Sequence, residues 1–171
     1  EEISRLETIT LSGRTLFVSD FHLKDEHIGT HFEYDDEQAE TIVIIGDFFD
    51  SPSHFDKYGN TEKEQIKNGL LATLPEEFTG DVYFVWGRGH DPVFAETMYD
   101  YGSIRFHNLG EFGKFDIDGT SVVIMHGQHL HTGMLGGGFS WASKKIGIPL
   151  LLERIGRKRF DIDPDTWFIT G

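Results

Sequence analysis

Seven residues in this chain carry side chains able to hold a cation or move a proton, and each follows the end of a short apolar run: Asp20, His22, Asp47, Asp50, His90, Asp91 and His126. Asp20 and His22 are two apart across a turn, so a carboxylate and a neutral imidazole can converge on one hard or borderline cation. Taken alone, such a pair also reads as a cap and a surface histidine. Gly46 lets the backbone turn sharply before Asp47, whose carboxylate can offer two oxygens to two cations. Asp47 also reads as a helix N-cap, and Asp50, ahead of Ser51-Pro52, as a turn residue. His90 is placed to give a proton to a departing alkoxide, with the adjacent Asp91 fixing its tautomer. His126 fits a nitrogen ligand to a second metal, or a structural histidine. Around these lie Arg88, a fixed cation for a phosphate or an exposed structural arginine, and His129 and His131, further ligands or part of a surface loop.

These residues need strands behind them. Leu16-Phe17-Val18, Thr41 to Ile45, Asp81 to Trp86 and Ser121 to Met125 are β-branched and apolar runs, and polar residues follow each carboxyl end. Helical character falls at 35–40, at 61–74 with Ile66, Leu70, Leu71 and Leu74 at helical spacing, and at 92–101 with Pro92 in a first turn. Phe112 to Ile117, Asp118-Gly119 and Thr120 to Met125 predict a β-hairpin, because Asp-Gly favours a two-residue turn. The 51–60 segment, with His54, Phe55 and Tyr58, is turn-like and stands beside the Asp47 loop as one lip of a site. Thr166 to Thr170 gives a last strand signal. The alternation of strand and helix predicts an α/β fold with a mixed sheet, whose ligands gather at the strands' carboxyl ends.

The series Asp20-x-His22, Gly46-Asp47-x-x-Asp50, His90-Asp91 and His126-Gly127 resembles the calcineurin-like metallophosphoesterase superfamily across nearly the whole chain. The resemblance implies a β-sandwich of mixed sheets flanked by helices. It implies that Asp20 and His22 hold a first metal, that Asp47 bridges two, that His126 binds the second, and that His90 with Asp91 serves the leaving group. Two divalent ions are implied, Mn2+ first, with Fe, Zn or Ni suited to the same ligands. The sequence departs from the family at two places. Gly89 stands where the family has an asparagine ligand, which weakens the second site. The family's closing G-H-x-H motif is absent, and Phe168 to Gly171 reads as the strand and glycine that precede it, so the sequence is expected to be a fragment. Asp50, Arg88, His129 and His131 are left as outer residues or substrate contacts.

With 171 residues and 38% hydrophobic content the chain can bury one sizeable core, and it is read as a single domain. It has no cysteine, which excludes disulfides and thiolate metal sites and fits a cytoplasmic protein. No apolar run approaches the roughly 20 residues of a membrane span. A net charge of −14 argues against general nucleic-acid affinity, and so against a repair nuclease. The stretch 128–165 is read as a cap insertion with a helical part near 136–160, mixing aromatic, aliphatic and basic residues. It suits a nucleotide, a lipid-linked diphosphate, a phosphorylated small molecule or a partner helix, or is an ordinary helix packed on the core. A helical cap is also found in the lipid-precursor pyrophosphatase branch of the superfamily. The expected function is a metal-dependent phosphohydrolase acting on a phosphomonoester, phosphodiester or diphosphate bond. The alternative is a catalytically weak or inactive fold-mate that serves as a protein-binding scaffold, as the retromer subunit of the superfamily does.

Overall fold

The structure, a computed structural model, describes residues 3–30, 39–87, 89–126, 157–158, 160 and 162–170. Among them nine strands form two sheets: β1 (Ile9–Leu11), β2 (Thr15–Val18), β3 (Thr41–Ile45), β4 (Gly80–Val85), β5 (Met98–Asp100), β6 (Ile104–Asn108), β7 (Phe112–Ile117), β8 (Thr120–Met125) and β9 (Trp167–Thr170). One sheet runs β2-β3-β4-β6-β5, parallel except for β5. The other runs β1-β7-β8-β9, parallel except for the β7–β8 pairing. Among the described residues the α-helices α1 (Pro52–Phe55) and α2 (Glu62–Thr73) accompany them. The protein is therefore α/β with two mixed sheets. Among the described residues no helix is long and apolar enough to cross a membrane.

Side-chain alternation assembles the layers. Every residue of β3 is buried, as a strand covered on both faces requires. Ile42 and Ile44 join Ile66 and Leu70 of α2, whereas Val43 and Ile45 meet Phe115, Val122 and Ile124 of the other sheet. The outer face of that second sheet carries Val123 and Met125 against Ile3 and Ile162. Each such side chain contributes about 1.5–3 kcal/mol when fully buried.

Local chemistry sets the element ends. Thr61 caps α2 by accepting from the Glu64 N–H at 3.3 Å, and Leu74 ends it in an extended conformation ahead of Pro75. Of the predicted apolar face, Ile66, Leu70 and Leu74 are buried, but Leu71 is exposed. Asp118 and Gly119 have φ of 50° and 83°, the left-handed pair that a tight hairpin turn needs.

Some readings are corrected. Residues 92–101 are not a helix. Tyr99 is buried between exposed Met98 and Asp100, a period of two, and its hydroxyl donates to Glu62, which fixes the segment as β5 beside β6. The 51–60 segment is not merely turn-like: Ser51 accepts from the His54 N–H, Pro52 starts α1, and a 3-10 turn follows over Asp56–Tyr58. β1 and β6 had no clear signal, since β1 is three residues long and β6 alternates Arg105 and His107 with Phe106. Of the expected 35–40 helix, Ala39 and Glu40 are not helical but lead directly into β3, and residues 35–38 lie outside the described residues, as do Arg88, His129, His131 and nearly all of the 128–165 insertion.

Phe49 is fully buried, with ring centroids 4.8 Å from Phe55 and 5.4 Å from Tyr58. Phe49→Ala should lower the unfolding free energy by about 3–5 kcal/mol in urea titrations. Truncating the exposed Met98 should change it by less than about 0.5 kcal/mol.

Candidate metal centre

β2, β3 and β4 are adjacent and parallel, so their carboxyl-end loops leave the sheet side by side. Backbone hydrogen bonds then continue the ladder beyond the strands. The His22 N–H donates to the Asp47 carbonyl at 2.8 Å, Leu23 to Phe48 at 3.0 Å, and Asp50 back to Leu23 at 3.1 Å. Asp20, His22 and Asp47 have φ of 59°, 46° and 51°, the left-handed region that L-residues seldom enter. Among the described residues the only other such non-glycine residue is Asp118 of the hairpin. Strain concentrated in this way marks positions whose side-chain direction is being dictated.

The side chains converge on Asp47, which is buried. Its Oδ2 lies 3.2 Å from His126 Nε2 and 3.5 Å from His22 Nε2, so one carboxylate oxygen stands between two imidazoles contributed by different sheets. Asp20 Oδ1 is 4.0 Å from the same His22 nitrogen and is exposed. Burial works to raise the Asp47 carboxyl, but His126, with His90 and His22, holds it below the ordinary carboxylate value. Gly87 makes room: a Cβ there would sit 2.5 Å from the Asp47 nitrogen and 2.8 Å from Asp91 Oδ2.

The donor set fits divalent cations. Donor atoms of Asp20, His22 and Asp47 all lie within 4.8 Å of one another. Adjacent donors on one octahedral ion with bonds of about 2.1 Å are separated by about 3 Å, close to the His22–Asp47 and Asp47–His126 distances. Among the described residues Asp47 Oδ1, His126 Nδ1 and His22 Nδ1 are buried without a hydrogen-bond partner, and a buried polar atom left so costs roughly 1–3 kcal/mol. Oxygen and imidazole donors suit manganese, iron, zinc or nickel alike.

The structure rearranges the expected roles of His90, Asp91 and Asp50. The Asp91 carboxylate does not orient His90. It is buried, accepting from the Phe49 N–H and the Gly87 N–H at 2.9 Å each, while its carbonyl accepts from the Trp86 indole. The tautomer of His90 is instead governed by the Asp50 carbonyl, 2.8 Å from Nδ1, which puts the ring N–H on that nitrogen. The His90 ring meets the His22 ring edge-on with centroids 4.9 Å apart. Asp50 caps no helix; its Oδ1 is 3.4 Å from His22 Nδ1. Asp50 thus belongs to the centre more firmly than its turn context suggests.

Sequence reasoning placed His54 on a lip but missed its contacts. Its Nε2 faces Asp50 Oδ2 at 3.6 Å, and its Nδ1 is 2.7 Å from Asp25 Oδ1. A signal was present: Ser51-Pro52 starts a helix, which brings residue 54 back over residue 50. No protein-family model matches the chain, and no curated protein matches it in sequence.

Burial pushes the Asp91 carboxyl from 3.8 up to about 7, against the pull of its two N–H donors. A raised acid pKa stabilises the fold below its unfolded value and loses that contribution as pH rises through the folded one. The melting temperature of metal-free Asp91→Asn should lie below that of the parent, because an amide NH2 meets one of the two N–H donors. The gap should narrow from about pH 5 to about pH 8, since only the parent loses stability over that window.

Proposed function

We propose that this chain is a metal-dependent phosphohydrolase of the calcineurin-like metallophosphoesterase type, cleaving a phosphomonoester, phosphodiester or diphosphate bond with a metal-activated water. The observation that carries this reading is Asp47, a buried carboxylate between the imidazoles of His22 and His126 with its second oxygen unpartnered. Asp20, His22 and Asp47 would hold one cation, and Asp47 with His126 a second. Such cations, Mn2+ or the Fe, Zn and Ni that suit the same donors, supply Lewis acidity toward water and neutralise phosphate charge.

The chain's own groups divide the remaining work. His90, its Nδ1 tied to the Asp50 carbonyl, presents Nε2 to hold a proton for a departing alkoxide. Asp91 keeps the loops after β3 and β4 in register by accepting from both. A substrate among nucleotides, lipid-linked diphosphates and small phosphate esters would bring the anionic group that this cation site attracts.

A second reading, a scaffold with little turnover, is favoured by Gly89. A Cβ at that position would meet nothing within 4 Å, so the place of the family's asparagine ligand is open space.

Elemental analysis after incubation with Mn2+, paired with hydrolysis of a bis-aryl phosphodiester, separates the two. Asp47→Ala should lose bound metal and activity together. His90→Ala should keep its metal while turnover falls by roughly 10²–10⁴-fold, the usual contribution of a positioned proton donor. Parent protein with neither metal nor turnover would leave the scaffold as the better account.

A further inference from the structure

Carboxylates and imidazoles alternate in an unbroken line away from the centre. His126 faces Asp47, Asp47 faces His22, and His22 Nδ1 faces Asp50 Oδ1 at 3.4 Å. The line continues through Asp50 Oδ2 and His54 Nε2 at 3.6 Å, and closes with His54 Nδ1 and Asp25 Oδ1 at 2.7 Å. Asp25 lies in the 3-10 turn Asp25–His27 after β2, and His54 in α1 after β3. The two loops that supply His22 and Asp47 are therefore joined a second time at their outer ends.

Donor atoms of His22, Asp50 and His90 also fall within 4.8 Å of one another, and two imidazoles with one carboxylate would themselves suit a transition metal. The ring chemistry of His22 argues against a third cation there. A neutral imidazole has one lone pair for a metal and one N–H, and Nε2 is the nitrogen that faces Asp20 and Asp47. Nδ1 must then carry the N–H; among the described residues it makes no hydrogen bond, and Asp50 Oδ1, 3.4 Å away, is the carboxylate within its reach. Ligand histidines are commonly oriented through their second nitrogen by such a carboxylate.

Asp50 in turn needs holding, because its side chain is partly exposed and, apart from the two histidines, its ion pair among the described residues is with Lys24 Nζ at 4.0 Å. We propose that His54, with an N–H on each ring nitrogen, one toward Asp25 and one toward Asp50, is a positioning residue of the metal centre: it fixes the Asp50 carboxylate, which aims His22 at the cation, while the Asp50 carbonyl aims His90. The inference rests on the metallohydrolase reading and adds to it two residues outside the ligand motifs. It also explains why the closest pairing in the line is the outermost one. The Asp25–His54 pair must itself be rigid if it is to hold Asp50.

Co2+ titration of the whole chain, read by visible absorption and by calorimetry, tests this without relying on turnover. The parent should bind Co2+. His54→Ala and Asp25→Ala should each weaken binding by roughly 10- to 100-fold and alter the absorption bands, as loss of an orienting partner does. Asp25→Asn, whose amide oxygen can still accept from His54 Nδ1, should stay within about threefold of the parent and keep its spectrum. Asp25 is exposed, so its variants should fold even if His54→Ala does not. Parent-like Co2+ affinity and spectrum in both alanine variants would overturn the positioning role and leave the metal reading standing. A parent that binds no Co2+ would overturn both.

Discussion

Asp47 is a carboxylate withdrawn from water at the point where two sheets meet, and a charge in that position is tolerated only with close compensation. His126 and His22 approach one oxygen from opposite sheets. The other oxygen has no hydrogen-bond partner among the described residues. A fold selected only for stability would place an apolar side chain here, because isosteric apolar replacement of buried ionic groups is often neutral or favourable. The same demand reaches the backbone, where Asp20, His22 and Asp47 take up left-handed conformations and the neighbouring strand gives up its side chain at Gly87. Each concession is local, and each is held by the continued ladder between the loops after β2 and β3.

That ladder explains how three loops can be precise without being strands. Backbone donors and acceptors beyond Val18 and Ile45 still pair with one another, and the Asp91 carboxylate accepts from the Phe49 and Gly87 N–H groups, as a third strand would. The fully buried rings of Phe48 and Phe49 lie beneath, so the loop carrying Asp47 and Asp50 is packed as core. Side chains whose rotamers are locked from below can hold a productive geometry without help from a ligand.

How much of this could be read from the chain depended on whether the determining contact was local. The hairpin was legible because Asp118-Gly119 encodes its own turn, and α2 because Thr61, Glu64 and the spacing of Ile66, Leu70 and Leu74 all lie within the helix. Asp20, His22, Asp47 and His126 were legible as strand-end residues because the apolar runs before them are strong. β5 was misread because Tyr99 is fixed by Glu62, 37 positions away, and no local pattern carries that contact. The partner of His90 was misassigned for the same reason. Adjacency in sequence suggested Asp91, whereas the acceptor is a backbone carbonyl 40 positions earlier. Asp25 and His54 are separated by 29 positions and meet only because β2 and β3 are neighbours.

The meeting of Asp47 with His126 follows from strand parity. Val43 and Ile45 of β3 point into the space between the sheets, as do Val122 and Ile124 of β8, while Tyr83 and Val85 do so from β4. Advancing by two from each last member gives Asp47, His126 and Gly87. The chemistry therefore occupies the next layer of the inter-sheet core: an acid, an imidazole and an absent side chain take the places where three more apolar groups would otherwise have met. A one-residue slip of β3 against β4 would turn Asp47 toward α2 and remove it from His126, so the register that buries Val43 and Ile45 is the same one that assembles the site. Stability and site are set here by one alternation, and its break from apolar to polar coincides with the strand ends.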